Sequence, residues 1–575
     1  MYHEKMTNMM KENKELLFLS VIFVLVFLFR LSVANSFSQP FIFGDELSYK
    51  TMAYAFHQYG DFYYIQSEKM AHTVDIPNFL YPLLISFSFN FVDFLYAIKI
   101  INVFILTISI IPTYYILKDM SCRYCLFGVI LVALLPSSNY SLSVMPESMY
   151  ATMFLFLIMF AMRAFDRKSS VYTILFSLLT GFLFLTKPHA ISVIISLVSF
   201  FVIIIFVRLN QNRHSEALFF LKQLGLMIFT IPVAIVIMSY VFGGSLSFGV
   251  YSNVADIKHS FDLNAAFINA TGHVFTVLLS YSIPLFFILW YLVHHNYSDS
   301  SKVEDKLLNF SLLTLLCFFS VFAMVIKYTT DIGPMEHYAR IHARYYYYVY
   351  PLFIISFFVF YERLRLKISK SSVFFLFIYT ISILILCVLF VYNNIDNIGF
   401  ITDNIQFAWV LKFSSTTVLL ILFIVIVAFS FTVLVKGNLK LFFIIVLFIS
   451  MLSNIGYVEM AKKNHHANAT ADYIKSKKIE GELKELEGEE VAIVQVNGYG
   501  ILMNTLFWSS FEFNYAKQIS SLEHVYDDIP MSTDALIVIN GSGAQIKDYT
   551  AKKIADNVYI YSLPIDKHGY NGSKS

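Results

Sequence analysis

The sequence predicts an all-α polytopic membrane protein of about thirteen transmembrane helices, followed by a small C-terminal extracytoplasmic α/β domain. Three observations carry this. Hydrophobic residues make up 58% of the 575-residue chain and charged residues only 14%, with 60 Phe and 38 Tyr. A soluble globule carries about 25% charge, so too few charges are present here to coat a water-exposed surface. The apolar residues fall into runs long enough to cross a bilayer, and the Lys and Arg residues between them are distributed unequally between alternate loops.

The runs lie at about 16–34, 94–117, 124–140, 144–162, 171–186, 189–207, 217–242, 276–293, 307–326, 345–360, 372–392, 409–435 and 439–459. The third and fifth are short. Segment 79–92 is also apolar, but Asn90 and Asp93 interrupt it, and it reads as an interfacial helix or a broken start to the next span. Nineteen Lys and Arg fall in one set of loops, among them Lys118, Arg163, Arg208, Lys306 and Lys436, and seven in the longer opposite set. The dense set is expected to be cytoplasmic. The N-terminus is then inside, the C-terminal domain outside, and the location a plasma membrane. The first span is too long for a cleaved signal, and no small-residue cleavage site follows it.

Other classes are excluded by arithmetic. A net charge of +2 leaves no basic surface for nucleic acid. Four Cys in 575 residues exclude a disulfide scaffold. Cys122-x-x-Cys125 has no second pair or His nearby and reads as two reduced thiols. Asn497-Gly-Tyr-Gly500 and Asn540-Gly-Ser-Gly543 follow strands in the tail, and neither is a dinucleotide fingerprint. No Asp-x-Asp and no Walker lysine loop occurs.

Two domains are expected: residues 1–460, with interfacial helices in the outer segment 35–93, and residues 461–575. In the tail, 491–496, 535–540 and 557–563 have the composition of strands, and 467–487 and 499–510 that of helices. Three long loops, 35–78, 243–275 and 327–344, put the polar mass on the outer face, where chemistry is expected.

The first of these loops contains Phe43-Gly44-Asp45-Glu46-Leu47-Ser48-Tyr49-Lys50. Tyr49, Met52, Ala53 and Phe56 share one face of a helix that ends near Gly60 and would lie in the interface plane. Asp45 stands at its start, ten or so residues past the first span. It is read either as an N-cap or as a general base, and the two roles are compatible, because free amides and the helix dipole keep a carboxylate ionised. Glu46 would orient Asp45, hold a metal or face water.

This run, Asp45-Glu46 with Tyr49 directly after a first span, resembles the acidic signature of the GT-C glycosyltransferases, and most nearly the protein O-mannosyltransferases and lipid A aminoarabinose transferases. Further similarities follow in order: Lys99 with Asn102 at the top of the second span, Met145-Pro146-Glu147 opening the fourth, Thr186-Lys187-Pro188 after the fifth, and Arg344-Tyr345 with Pro351 entering a later one. The similarity covers about 30–460. It departs where a Lys-Pro-Pro-Leu run would close the first loop; here Glu68-Lys69-Met70 is separated by an insertion from Ile76-Pro77. Loop 243–275 is too short for the soluble domain that the mannosyltransferases usually insert.

The resemblance implies transfer of a sugar from a polyprenyl-phosphate donor to a hydroxyl of a glycan, lipid or protein acceptor, with inversion. Asp45 would be the base, with Glu46 and Glu147 as supporting acids. Lys99, Lys187, Arg340, Arg344 and Tyr345 would surround the donor phosphate, and Tyr49 and His342 would contact substrate. The residue types suit this chemistry. The acceptor must lose a proton, whereas a phosphate leaving group needs cations and no acid. Each residue also has a plainer reading: Lys99 as a snorkelling side chain, Lys187 as a topological anchor, Arg344-Tyr345-Tyr346-Tyr347-Tyr348 as an interfacial aromatic belt, and Glu147 beside Pro146 as an ordinary helix start. His259, His273, His337 and His342 are all on the outer side, and Glu46 or Glu68 with one of them could bind a divalent metal; no cofactor is otherwise implied. Two other functions are weighed: a transporter or flippase of lipid-linked sugar, which would place polar groups at mid-membrane on broken helices, and a polysaccharide polymerase or ligase, whose key residues would lie in a late outer loop.

Overall fold

The computed structural model describes residues 2–36, 44–62, 78–244, 263–294, 302–331, 343–365 and 439–486, together with the tail segments 491–496, 515–519, 534–539 and 550–562 and a few single positions. The expected spans at 372–392 and 409–435 lie outside these residues. Two compact units divide the chain: Met1–Ser36, Lys99–Leu142 and Pro146–Met460 form the first, and Phe37–Ile98, Ser143–Met145 and Ala461–Ser575 the second.

The first unit is helical. Its elements are α1 (Tyr2–Asn35), α4 (Phe94–Ile108, from Lys99 onward), α5 (Ile110–Asp119), α6 (Cys125–Ala133), α7 (Glu147–Arg167), α8 (Ser170–Thr186), α9 (Ile191–Asn210), α10 (His214–Phe242), α11 (Leu263–His294), α12 (Lys302–Asp331), α13 (Tyr350–Arg365) and the start of α14 (Leu439–Leu483). The second unit holds α2 (Gly44–Tyr59) and α3 (Leu80–Ser86). Among the described residues six stretches are long and apolar enough to cross a membrane: Asn13–Asn35, Phe94–Asp119, Glu147–Arg167, Pro188–Asn210, His214–Phe242 and Val303–Thr330. Ser170–Thr186, Pro284–Val293, Tyr347–Tyr361 and Val446–Glu459 are shorter apolar helices. The protein is a multi-pass membrane protein, as its composition requires.

Packing of α7 on α8, α8 on α10, and α9 on α12 builds the centre of this unit. Gly181 lets α8 approach α10 closely: a Cβ there would stand 3.1 Å from the Ala234 Cβ and 3.3 Å from the Ile231 carbonyl oxygen. Small residues permit such contacts where no hydrophobic force separates helix from lipid.

The expected third span is not a continuous helix. α6 stops at Ala133, and a 3₁₀ stretch, Pro136–Leu142, follows. Pro136 and three serines replace the apolar periodicity there, so the backbone breaks. The orphaned carbonyls at the break are satisfied from other helices. Arg30 of α1 donates from Nη2 to the Ala133 oxygen, and Asn454 of α14 donates from Nδ2 to the Leu134 oxygen at 2.9 Å. Arg30 thus caps a broken helix inside the protein. Such breaks occur at membrane depth only where protein supplies the partners.

At the far end of α7 from Glu147 the helices are tied by ion pairs. Asp305 of α12 accepts from Arg208 Nη1 (2.7 Å) and Arg213 Nη2 (2.7 Å). Glu216 of α10 pairs with Arg213 (2.7 Å) and Lys168 (3.3 Å), and Asp166 of α7 with Lys306 (2.9 Å).

In the second unit, α2 begins at Gly44 and ends at Gly60, whose φ of +70° and N–H bond to the Phe56 carbonyl (2.9 Å) form the left-handed terminator expected there. Its first half is not one-faced: Glu46, Leu47, Ser48, Tyr49, Lys50, Thr51, Met52 and Ala53 are all buried. The expected surface-lying helix is therefore enclosed on every side at that end. Segment 79–92 forms α3 and a 3₁₀ turn, Phe87–Asn90, and α3 packs on α2.

The tail folds into a five-stranded sheet in the order β2-β1-β3-β5-β4, with β1 (Val491–Val496), β2 (Tyr515–Ile519), β3 (Ala535–Ile539), β4 (Thr550–Ala555) and β5 (Val558–Ser562). β1 pairs in parallel with both β2 and β3, and the β4–β5 hairpin is antiparallel. The expected strands are β1, β3 and β5. β2 and β4 were not expected. The helix expected over 467–487 is the end of α14; most of 499–510 lies outside the described residues.

Candidate active site

In the first unit a group of polar residues gathers around Tyr345. α8 ends at Thr186 because Pro188 forces Lys187 into extended backbone (φ −152°, ψ 134°). A single 3₁₀ turn, Pro188–Ala190, then starts α9. The turn is too short to carry Lys187 into solvent: the residue is 8% exposed, and its Nζ lies 2.5 Å from Glu147 Oε1. Glu147 is the first residue of α7 and is fully buried. Tyr347 donates its hydroxyl to the Glu147 backbone oxygen, and Glu147 Oε2 has no hydrogen bond.

Tyr345 gathers three further groups. His189 stacks on its ring at 4.3 Å between centroids, Lys187 Nζ lies 5.9 Å from the ring centre, and the Arg344 guanidinium 5.3 Å from it. Arg344 Nη2 also reaches the Tyr345 hydroxyl at 3.4 Å. Lys187, Glu147, Arg344 and Tyr345, picked from separate stretches of sequence, thus come together. A lysine bound to a carboxylate adds no net charge, so the cationic character of this group rests on Arg344 and on the remaining N–H bonds of Lys187.

The tyrosine run is not an interfacial aromatic belt. Tyr345, Tyr346, Tyr347, Tyr348 and Tyr350 are all buried, at 5% exposure or less. The 3₁₀ turns Ala343–Tyr345 and Tyr347–Val349 send consecutive rings in different directions, so each finds its own partner. Tyr346 meets His273 Nδ1 at 2.9 Å, Tyr347 packs at a tilt against Tyr140, and Tyr348 meets Ser192 Oγ at 3.3 Å and packs on Tyr150. His273 is thereby engaged with a phenol.

Lys99 is 2% exposed and Asn102 fully buried, one turn apart on α4. Lys99 is enclosed by protein, so it does not snorkel to the lipid surface.

In the second unit, Asp45 and Glu46 occupy the first turn of α2. Asp45 is half-buried. It lies inside the helix that begins at Gly44, not at its cap. Glu46 is 1% exposed, and its Oε2 accepts the backbone N–H of Val144 at 2.7 Å. Tyr49 packs edge-on against Tyr81 at 5.4 Å. One turn beyond Glu46, Lys50 is 5% exposed, donates to the Leu506 carbonyl at 3.3 Å and lies 5.3 Å from the Tyr54 ring centre. Burial lowers its pKa to about 8.

Lys50, His189 and Tyr347 were missed in the sequence. Lys50 had one signal, its i+4 spacing from Glu46. His189 had only its place beside Lys187 and Pro188. Arg340, His342, Lys69, Glu68, Lys258, His259 and His337 lie outside the described residues. No group of three His, Cys, Asp or Glu side chains placed to hold a metal occurs among the described residues.

A polytopic helical membrane unit with a small sheet-bearing tail is a fold that this chain shares with a solved membrane protein. The chain is similar to the crystal structure of ArnT from Cupriavidus metallidurans bound to undecaprenyl phosphate, with TM-score 0.52 and 11% identity, over 96% of this chain and 98% of that one. Its similarity to the same protein in the apo state has TM-score 0.51 and 10% identity, over the same shares. No protein-family model matches the sequence, and no curated protein matches it.

Proposed function

We propose that this chain is an integral-membrane glycosyltransferase that moves a sugar from a polyprenyl-phosphate donor to an acceptor hydroxyl on the extracytoplasmic face. The observation that carries the reading is the convergence of Lys187, Glu147, Arg344 and Tyr345 in a chain whose fold is that of a protein crystallised with undecaprenyl phosphate.

Asp45 is the proposed general base. It takes the proton of the acceptor hydroxyl as that oxygen attacks the anomeric carbon. The bond from that carbon to the phosphate oxygen breaks, its electron pair stays on the phosphate, and attack from the opposite face inverts the centre. Arg344, which matches two phosphate oxygens with its fork, would hold the developing charge with Lys187, Lys99 and Arg340. Tyr345 supplies an aromatic wall. Glu147 positions Lys187 by holding one of its three N–H bonds. Tyr49 and His342 are assigned to substrate contact. The dense Lys and Arg loops are assigned to the cytoplasm, which puts these residues outside.

Asp45→Asn tests the reading. With a polyprenyl-phosphate sugar as donor, transfer should fall by about 10²–10⁴-fold, the range for loss of a positioned base, while the purified variant keeps its unfolding temperature. Wild-type transfer rates in that variant would reject the role of Asp45. Absence of any polyprenyl phosphate among lipids co-purified in mild detergent would count against the donor class.

A further inference from the structure

The end of α7 opposite Glu147 carries a second polar site. Twenty helical steps separate Glu147 from Arg167, about 30 Å at 1.5 Å each, which is one bilayer core. There a cavity of about 420 Å³ opens among α7, α10 and α12. Its polar wall carries the ion-paired side chains of Asp305, Glu216 and Asp166 with their basic partners, together with Arg167. Five basic and three acidic side chains line it, Arg167, Lys168, Arg208, Arg213 and Lys306 against Asp166, Glu216 and Asp305, an excess of two positive charges. Arg167 and Lys168 are exposed. Arg167 contacts the Tyr172 hydroxyl at 3.0 Å, and Lys168 pairs with Glu216.

Two further features point to a ligand rather than to a closed clamp. Asn309, 5% exposed, lines the cavity, and its Oδ1 has no hydrogen bond. A buried carboxamide oxygen without a partner is costly, so such atoms are ordinarily paired. The remaining wall is apolar, formed by Met162, Phe165, Phe219 and Phe220, and the residues that flank the last two in sequence, Leu218 and Leu221, are 52% and 54% exposed. A free anion has no use for that wall. An amphiphile does.

We propose that this cavity binds the headgroup of an anionic phospholipid that carries a free hydroxyl, of the phosphatidylglycerol kind. The phosphate would meet Arg167, whose hydrogen-bond partner is a neutral phenol, and the exposed Lys168, which would share its charge between Glu216 and the phosphate. The hydroxyl would serve Asn309, because a hydroxyl can both donate to and accept from a carboxamide. The acyl chains would leave along Leu218 and Leu221. The site is separate from the candidate active site and does not depend on the proposed reaction.

The test uses the full chain, purified in detergent and stripped of lipid. Palmitoyl-oleoyl phosphatidylglycerol, phosphatidic acid, phosphatidylcholine and inorganic phosphate are added in separate arms. Native mass spectrometry reads retained lipid, and the unfolding temperature is followed in parallel. Phosphatidylglycerol should be retained and should raise the unfolding temperature, and phosphatidylcholine should do neither. The variant R167Q/K168Q, altered only at exposed positions, should unfold like wild type without lipid and lose phosphatidylglycerol retention by about tenfold or more. Asn309→Leu should abolish the preference for phosphatidylglycerol over phosphatidic acid. Equal retention of phosphatidylcholine, or undiminished retention by R167Q/K168Q, would overturn the proposal and leave the ion pairs as a structural clamp. Stabilisation by inorganic phosphate with no lipid retained would overturn it in favour of a soluble phosphate ligand.

Discussion

Glu147 Oε1 and Lys187 Nζ, forty residues apart in sequence, meet at 2.5 Å where α7 begins and α8 ends. Both side chains are almost wholly withdrawn from solvent, at 0% and 11% exposure. Desolvating two charges is costly, and the pair persists because each repays the other. Removing one partner strands a buried charge, so Lys187→Met or Glu147→Leu alone should cost about 3–5 kcal/mol of stability. The double variant Glu147→Leu/Lys187→Met should recover most of that loss without recovering transfer. Unfolding temperatures of the two single variants and the double variant, measured beside transfer rates, check both halves; additive losses would mean that the two side chains are energetically independent.

Glu46 gives a narrower expectation. Its Oε2 accepts one backbone N–H, from Val144. Glu46→Gln keeps an acceptor oxygen at that place and should leave stability nearly unchanged. Glu46→Leu leaves the amide unpaired and should cost about 1–3 kcal/mol. A Gln variant as damaged as the Leu variant would require the negative charge itself, and chemical denaturation of the two distinguishes these outcomes.

Lys50 makes stability depend on alkaline pH. Its folded-state pKa is about 8, lowered by burial from 10.5. Between those values the unfolded chain binds the proton that the folded chain has released, so raising pH favours the folded state. Below about 8 both states are protonated, and the full cost of the buried charge is present, about 3 kcal/mol. Lys50→Met removes this term. Its stability relative to wild type should be greatest near pH 7 and should shrink as pH rises from about 8 toward 10.5. Unfolding of both proteins at pH 7 and pH 9.5 tests it; a constant difference would show that Lys50 keeps its charge through an acidic partner.

Gly181 sets the spacing of α8 and α10. Gly181→Ala needs a shift of a few tenths of an ångström against Ala234 and the Ile231 carbonyl. A helix-propensity gain of about 1 kcal/mol offsets it, so the variant should be near neutral. Gly181→Leu has no such space and should lose about 1–3 kcal/mol. The comparison of these two variants by thermal unfolding isolates the contact between the helices.

Much of the architecture was legible without coordinates. Apolar runs long enough to span lipid have few alternatives, so α1, α4 with α5, α7, α9, α10 and α12 fall where the hydropathy puts them. The helix after Gly44 and its end at Gly60 follow from periodicity and a terminating glycine. β1 and β3, buried inside the sheet, read as apolar strings interrupted only by Gln495 in β1. β2 and β4 did not read as strands because they are the sheet's two edges. Their sequences, Tyr515-Ala-Lys-Gln-Ile519 and Thr550-Ala-Lys-Lys-Ile-Ala555, carry the lysines that keep exposed edges from pairing with other chains.

Hydropathy and helix periodicity are local properties, so most of the elements and the residue types able to do chemistry are written in the chain itself. The partners come from the fold. It closed Lys187 on Glu147, turned the tyrosines after Arg344 inward, set Arg30 and Asn454 on the broken end of α6, and enclosed Lys50. The physical reason is that a buried charge or an orphaned carbonyl must be satisfied by whatever the fold brings within about 3 Å. That neighbour comes from a distant part of the chain and leaves no mark in the local pattern.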